Sequence, residues 1–328
     1  MFTSPTVRRL ILLLALQVVA GCQTAAPAPD AGKTAAAARP PLAAHLAGLV
    51  HGADAAELRR AARDLRQRGQ APAAAQALLG LLAPTATPAL SDHDTRTAAE
   101  LYLLLPDPAP TPLFQALVAS DRMEPRRTAW QVAARYPSDD MAKAVAGELS
   151  RRATQAAQAG KDGAGISPEA ALAVRANHLT EAYPLVRAAL MAEGQPAYAK
   201  ALIGLRPAAA ADDLLAYLAG ARPDDLLAGR PAGVNRTTCL VALAHLAAEP
   251  PSLHQPAVKP LFYYAASADP ALAEAATAVV SRLAEAAPRD VAFLLAQMPE
   301  PVRAGVSQHL RHAGWDEGQV AALLDAGP

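Results

Sequence analysis

The placement of proline constrains this chain more than any other feature. Thr111-Pro112, Ser167-Pro168, Asp269-Pro270 and Glu300-Pro301 each put a proline where a helix would begin, directly after a polar residue, although glutamate caps poorly. Proline is tolerated at the first helical position because its missing N–H had no partner there anyway. The 29 prolines therefore cut the chain into short helices, predicted at about 10 to 18 residues each. From residue 41 onward alanine, the best helix former, is abundant, and β-branched residues never alternate with polar ones over the length of a strand. The expected fold is all-α, an α-solenoid of short helix hairpins stacked in series.

Two segments carry the pattern further. After Asp269-Pro270, the residues Leu272, Ala276, Val279, Val280 and Leu283 fall at i, i+4, i+7, i+8 and i+11, one apolar helical face, with Glu274, Ser281 and Arg282 off it. This stretch resembles the second helix of a HEAT-like repeat: an aspartate-proline turn, an alanine-rich helix, then an aliphatic pair, a small residue and a final leucine. Val234-Asn235-Arg236 followed by Cys239, Ala242, Leu243, Ala244 and Leu246 is similar, with the arginine such repeats often place early. Arg127, Ala129 and Ala133 give a weaker third copy. Ala273 stands where an arginine would be expected, and the spacing between copies is irregular. A tetratricopeptide-like pairing is the alternative, above all for residues 54 to 105, but its signature aromatics are not recognisable.

The N-terminus reads differently. Arg8 and Arg9 precede an apolar run from Leu10 to Val19, the length of a signal-peptide core and too short for a bilayer, which needs roughly 20 apolar residues. The run ends in Val19-Ala20-Gly21-Cys22, which resembles the bacterial lipobox. That resemblance implies cleavage before Cys22, lipid attached to its thiol and a further acyl chain on the new N-terminus. It also implies, through Gln23 where an aspartate would retain the protein in the inner membrane, the periplasmic face of the outer membrane. The expected organisation is a signal peptide over 1–21, an Ala/Pro/Thr tether over 22–40 and helical repeats over 41–159. A glycine-rich loop over 160–167, joining two helical halves or forming a long hairpin loop within one solenoid, and further repeats over 168–328 complete it. A second irregular stretch, Gly220 to Gly233, is expected to replace a tight turn.

Charge and cysteine content set limits on chemistry. Lysine plus arginine and aspartate plus glutamate number 30 each, and losing Arg8 and Arg9 would leave 28 against 30, formally −2. No basic patch advertises nucleic acid or anionic lipid. There are 2 cysteines; with Cys22 acylated, Cys239 has no partner for a disulfide and reads as a small buried hydrophobe.

The sequence holds no recognised catalytic motif. Gly160-Lys161 lacks the spacing of a phosphate-binding loop, and neither a G-x-S-x-G elbow nor an H-E-x-x-H zinc motif occurs. His309 and His312, with Asp316 and Glu317 nearby, read as a helix C-terminus favoured by its dipole rather than as a metal site. Asp92-His93-Asp94 reads as a capped turn before a helix at 95–105, and Asn235-Arg236-Thr237 as a helix start. Trp130 and Trp315 read as core or capping residues. Phe262, Tyr263 and Tyr264 are consecutive, so one helix must aim them at different faces; packing between neighbouring repeats is the favoured reading, and one at the surface could anchor a partner.

The expectation is a lipid-anchored, non-enzymatic envelope protein with no cofactor and no nucleic-acid partner. The bilayer would hold it through acylated Cys22, and its repeat surface would engage another envelope protein. A cell-wall or envelope-polymer enzyme or activator is one alternative, requiring two carboxylates about 5 to 9.5 Å apart for glycoside chemistry. A carrier of an apolar ligand, requiring a closed cavity, is the other.

Overall fold

In a computed structural model, residues 41–158, 165–251 and 258–325 are described. Among them are eighteen α-helices, one short 3-10 turn and no strand. The chain divides into two compact units between Asn177 and His178. The glycine-rich stretch, expected to join two halves or to form a long loop within one solenoid, thus falls within the span of the first unit. The reason is packing: the helix that follows that segment lies against the N-terminal unit's last complete hairpin.

The N-terminal unit contains α1 (Pro41–Val50), α2 (Ala55–Gln67), α3 (Ala71–Leu82), α4 (Asp92–Leu104), α5 (Pro110–Val118), α6 (Met123–Arg135), α7 (Asp139–Gln158) and α8 (Pro168–Ala176). Helices two apart in sequence pack side by side: α2, α4, α6 and α8 in one layer, α1, α3, α5 and α7 in the other. Each layer also packs on the other through consecutive helices, the serial hairpin stacking of an α-solenoid. The core lies between the layers and includes Leu46, Leu58, Leu78, Leu101, Leu113, Trp130 and Met141.

The C-terminal unit contains α9 (Tyr183–Glu193), α10 (Pro196–Leu205), α11 (Pro207–Leu218), α12 (Pro223–Leu227), α13 (Arg236–Ala248), α14 (Lys259–Ala265), α15 (Pro270–Ala286), α16 (Pro288–Ala296), α17 (Glu300–His312) and α18 (Glu317–Asp325). The short α12 occupies the irregular stretch expected between Gly220 and Gly233. Leu272, Ala276, Val279, Val280 and Leu283 are all buried, so the apolar face read from their spacing is the packed face of α15.

The caps follow local chemistry. Ser167 Oγ accepts from Ala170 N at 3.2 Å. Asn235 Oδ1 accepts from Thr237 N and Thr238 N at 3.0 and 3.2 Å, and Asp269 Oδ1 from Ala271 N and Leu272 N at 3.0 and 3.3 Å. Each satisfies helix N–H groups that have no intrahelical acceptor. Two starts differ from the sequence reading. Helix α5 begins at Pro110 with both prolines in its first turn, and α17 begins at Glu300 with Pro299 before it.

A recurrent ion pair ties neighbouring helices of one layer. Arg96 in α4 meets Glu124 in the first turn of α6 at 3.0 Å, and Arg127 in α6 meets Glu169 in the first turn of α8 at 2.9 Å. The register is identical: the arginine is fifth in its helix and the glutamate second in the next. In the C-terminal unit Arg187 of α9 pairs with Asp213 of α11, and Arg236 of α13 with the Asp269 cap of α15. Surface pairs of this kind contribute little energy; they fix which turn of one helix faces the next. In α15, Ala273 occupies the corresponding early position and is buried.

Candidate functional site

The residues singled out by sequence fall in three settings. Val19, Ala20, Gly21 and Cys22 lie outside the described residues. Phe262 and Tyr264 are fully buried, which corrects any role for them as exposed anchors, and only Tyr263 keeps partial exposure. The cause is that α14 is covered by α12, α15 and α17, leaving one narrow side open. Tyr264 Oη donates to Leu218 O at 3.3 Å and lies 3.4 Å from Cys239 Sγ. Burial pushes the Cys239 thiol up to about 11, away from the thiolate a reactive cysteine needs.

The histidines sort differently from the sequence reading. The Asp92-His93-Asp94 segment is helical, capped by Ser91, and Asp94 is buried inside α4. Its partner is His51, 43 residues away: His51 Nδ1 stands 2.8 Å from Asp94 Oδ2. His309 and His312 lie ring to ring at 6.0 Å in the last turn of α17. Among the described residues no group of three or more His, Cys, Asp or Glu is placed to hold a metal ion. Trp130 is core and Trp315 half-buried.

The shielded carboxylates Asp94, Asp269 and Asp213 each have partners, whereas Asp225 Oδ2 is buried without a hydrogen bond. Burial opposes ionisation of Asp94, but the Ser91 hydroxyl and His51 outweigh it and hold the carboxyl below its usual range. The Arg236 hydrogen bond does the same to Asp269. Asp213 accepts from Tyr183 Oη at 2.8 Å and pairs with Arg187. A catalytic general acid needs its pKa raised toward neutrality, the opposite of what these environments do to Asp94 and Asp269.

The N-terminal unit carries two open grooves. The first, about 560 Å³, runs between α5 and α7. Its walls are Phe114, Val118 and Ala119 on one side and Ala144, Gly147 and Glu148 on the other, with Gln115, Lys143 and Arg151 at the rim. A rigid polar and aromatic cluster supports it. Glu148, 7% exposed, accepts from Arg151 Nε and Nη2 and from Arg152 Nε, each at 2.7 Å. Burial alone would raise the Glu148 carboxyl, yet these two arginines hold it below its usual range. The Arg152 guanidinium lies 5.2 Å from the Trp130 ring centroid, and Trp130 meets Phe114 edge-on at 5.3 Å. Arg152 Nη2 is buried with no hydrogen-bond acceptor, so the Trp130 π face is what compensates that part of the cation. A side-chain Cβ built at Gly147 meets nothing within 4 Å; the groove has room there.

The second groove, about 600 Å³, is lined by Ala56, Arg59, Arg60, Ala62, Arg63 and Arg66 of α2, with Leu104 and Pro106 opposite. All four arginines are exposed. Among the described residues none of them has a carboxylate within salt-bridge distance. The acids of α2, Glu57 and Asp64, do not line the groove, and Glu57 is spent on the Asp54 capping box. Sequence reasoning missed this patch because the chain's charges balance overall. The usable signal was the spacing: Arg59, Arg63 and Arg66 at i, i+4 and i+7 share one helix face, flanking the buried stripe of Leu58, Ala62 and Leu65.

Both grooves are open to solvent rather than closed cavities. Among the described residues no helix is long and apolar enough to cross a membrane. Comparison with protein-family models, with curated proteins and with solved structures gives no match for this chain.

Proposed function

We propose that this chain is a lipid-anchored, non-enzymatic envelope protein whose helical repeats form a docking surface for another envelope protein. The anchor reading comes from the lipobox-like Val19-Ala20-Gly21-Cys22 and places the protein, through Gln23, at the periplasmic face of the outer membrane. The HEAT-like pattern around Asn235 and Asp269 supports the scaffold reading.

The observation that carries the proposal is the groove between α5 and α7. Its base is preorganised by the Phe114, Trp130, Arg152 and Glu148 cluster, so binding there orders few side chains and little entropy is lost. Val118, Ala119 and Ala144 offer aliphatic contact, while Lys143 and Arg151 supply positive charge at the rim. Lys143 is paired with Asp140 at 3.7 Å, and Arg151 and Arg152 share the single Glu148 carboxylate, which leaves a net positive charge that fits a protein segment carrying aliphatic and acidic residues.

The test is site-specific photo-crosslinking in intact cells, with the photoreactive residue at Ala144 and the Gly147→Phe variant as its control. The Phe ring would occupy the groove without disturbing the helix–helix contact, since the position is open. One crosslinked protein of discrete mass, lost on Gly147→Phe and reconstituted with a purified acidic partner segment, is the expected result. A crosslink unchanged by Gly147→Phe, or none at all, would refute the assignment.

A further inference from the structure

The α2 groove poses a separate question, because four guanidinium groups share one surface and, among the described residues, none has a carboxylate within salt-bridge distance. Their mutual repulsion, screened in part by water and salt, favours an anion at this surface. From Arg66 through Arg59, Arg63 and Arg60 the side chains occupy a continuous arc of about a third of the helix circumference. Exposed Leu104 and half-buried Pro106 form an apolar strip along the opposite wall. Guanidinium forks match phosphate oxygens bidentately, better than an ammonium would.

Position along the chain selects the source of that phosphate. Helix α2 is the second described helix, and only the tether of residues 22–40 and α1 separate it from Cys22. An acylated Cys22 would hold α2 at high effective concentration beside lipid head groups, whatever their intrinsic affinity. An arginine arc beside an apolar strip suits the head-group level of a leaflet, where phosphodiesters lie above glycerol and acyl ester groups.

We infer that Arg59, Arg60, Arg63 and Arg66 bind the phosphodiester head groups of anionic phospholipid, laying the N-terminal unit against the leaflet that holds its anchor. This rests on the anchored reading of Cys22 but not on the partner groove between α5 and α7. The two sites lie on different helices, so both can be occupied by one molecule.

The test uses the protein purified from its envelope and placed in nanodiscs. Arginines are modified with phenylglyoxal and followed residue by residue by mass spectrometry. With phosphatidylglycerol in the disc, modification of the four α2 arginines is expected to slow about fivefold or more relative to pure phosphatidylcholine. Exposed Arg289, in the other unit, serves as reference and should not change. Titration with water-soluble dihexanoyl-phosphatidylglycerol should show the Arg59→Gln/Arg63→Gln/Arg66→Gln variant binding more weakly by about tenfold or more, the loss of a charge-assisted guanidinium–phosphate contact. Equal modification rates in the two discs would overturn the inference. So would protection by inorganic phosphate or polyglutamate in phosphatidylcholine discs with none from phosphatidylglycerol, since the site would then serve a free anion or an acidic protein. Intact mass on the same sample separates the two readings. An unmodified Cys22 removes the anchor and leaves the titration to decide the groove, whereas acylated protein without protection removes the groove and leaves the anchor.

Discussion

Replacing Glu148 by glutamine tests the structural logic of the α5/α7 groove. The change keeps the side chain's shape and one acceptor oxygen but removes the charge that two arginines share. Arg151 is about half exposed, so its part of the loss stays near the value for surface pairs, roughly 0 to 1 kcal/mol. Arg152 is 21% exposed, with its outer nitrogen buried against Trp130. Removing one member of a buried ion pair costs about 3 to 5 kcal/mol; residual solvent and the retained amide oxygen reduce this. The expected destabilisation of the N-terminal unit is therefore about 2 kcal/mol at neutral pH, or some 4 to 8 °C in its thermal transition.

The pH dependence has a definite sign. Because the folded-state carboxyl lies below its unfolded value, its contribution is complete above the unfolded value. It is lost as pH falls through the folded one. Wild type and Glu148→Gln should thus converge in stability in acid and separate again toward neutral pH. Urea unfolding followed by Trp130 fluorescence in a Trp315→Phe background, repeated across that range, measures the gap. A companion variant, Glu148→Gln with Arg152→Met, removes the stranded cation and should recover most of the loss. A gap below about 0.5 kcal/mol at neutral pH, the size of an ordinary surface substitution, would refute the reasoning. So would a double variant no more stable than the single one.

Two further outcomes follow from packing and from burial. At Gly305 in α17 an added Cβ would come within 2.8 Å of Ala266 Cβ and 3.0 Å of its Cα; Gly305→Ala should therefore destabilise the C-terminal unit by about 1 to 3 kcal/mol in urea unfolding, despite alanine's better helix propensity. Cys239 should resist iodoacetamide in the native protein and react once denatured, which mass spectrometry of the labelled peptide would show; rapid native labelling would contradict its burial.

What the sequence disclosed and what it concealed divide along the range of the interactions. Ser167, Asn235 and Asp269 were legible as caps because a capping side chain bonds backbone two or three residues away. The buried face of α15 was legible for a similar reason, since helix periodicity alone puts Leu272, Val279 and Leu283 together. Contacts between distant residues left no such trace. Asp94 pairs with His51 rather than adjacent His93, and Arg152 finds Trp130 only when α6 and α7 share a unit. The division at Asn177 was not legible, because α8 docks on α6 across the glycine-rich segment. The burial of Phe262 and Tyr264 depended on three helices covering α14, which three consecutive aromatics do not announce. The arginine arc of α2 was readable from its spacing, but a balanced net charge concealed it.

The central claim, that a helical body is displayed from a membrane by its N-terminal lipid, is tested most directly by the intact mass of the protein extracted from cell envelopes. The account predicts a chain beginning at Cys22, with its mass raised by a diacylglyceryl group and one further acyl chain. A chain that retains residues 1–21, or begins at Cys22 with a free thiol, would contradict it.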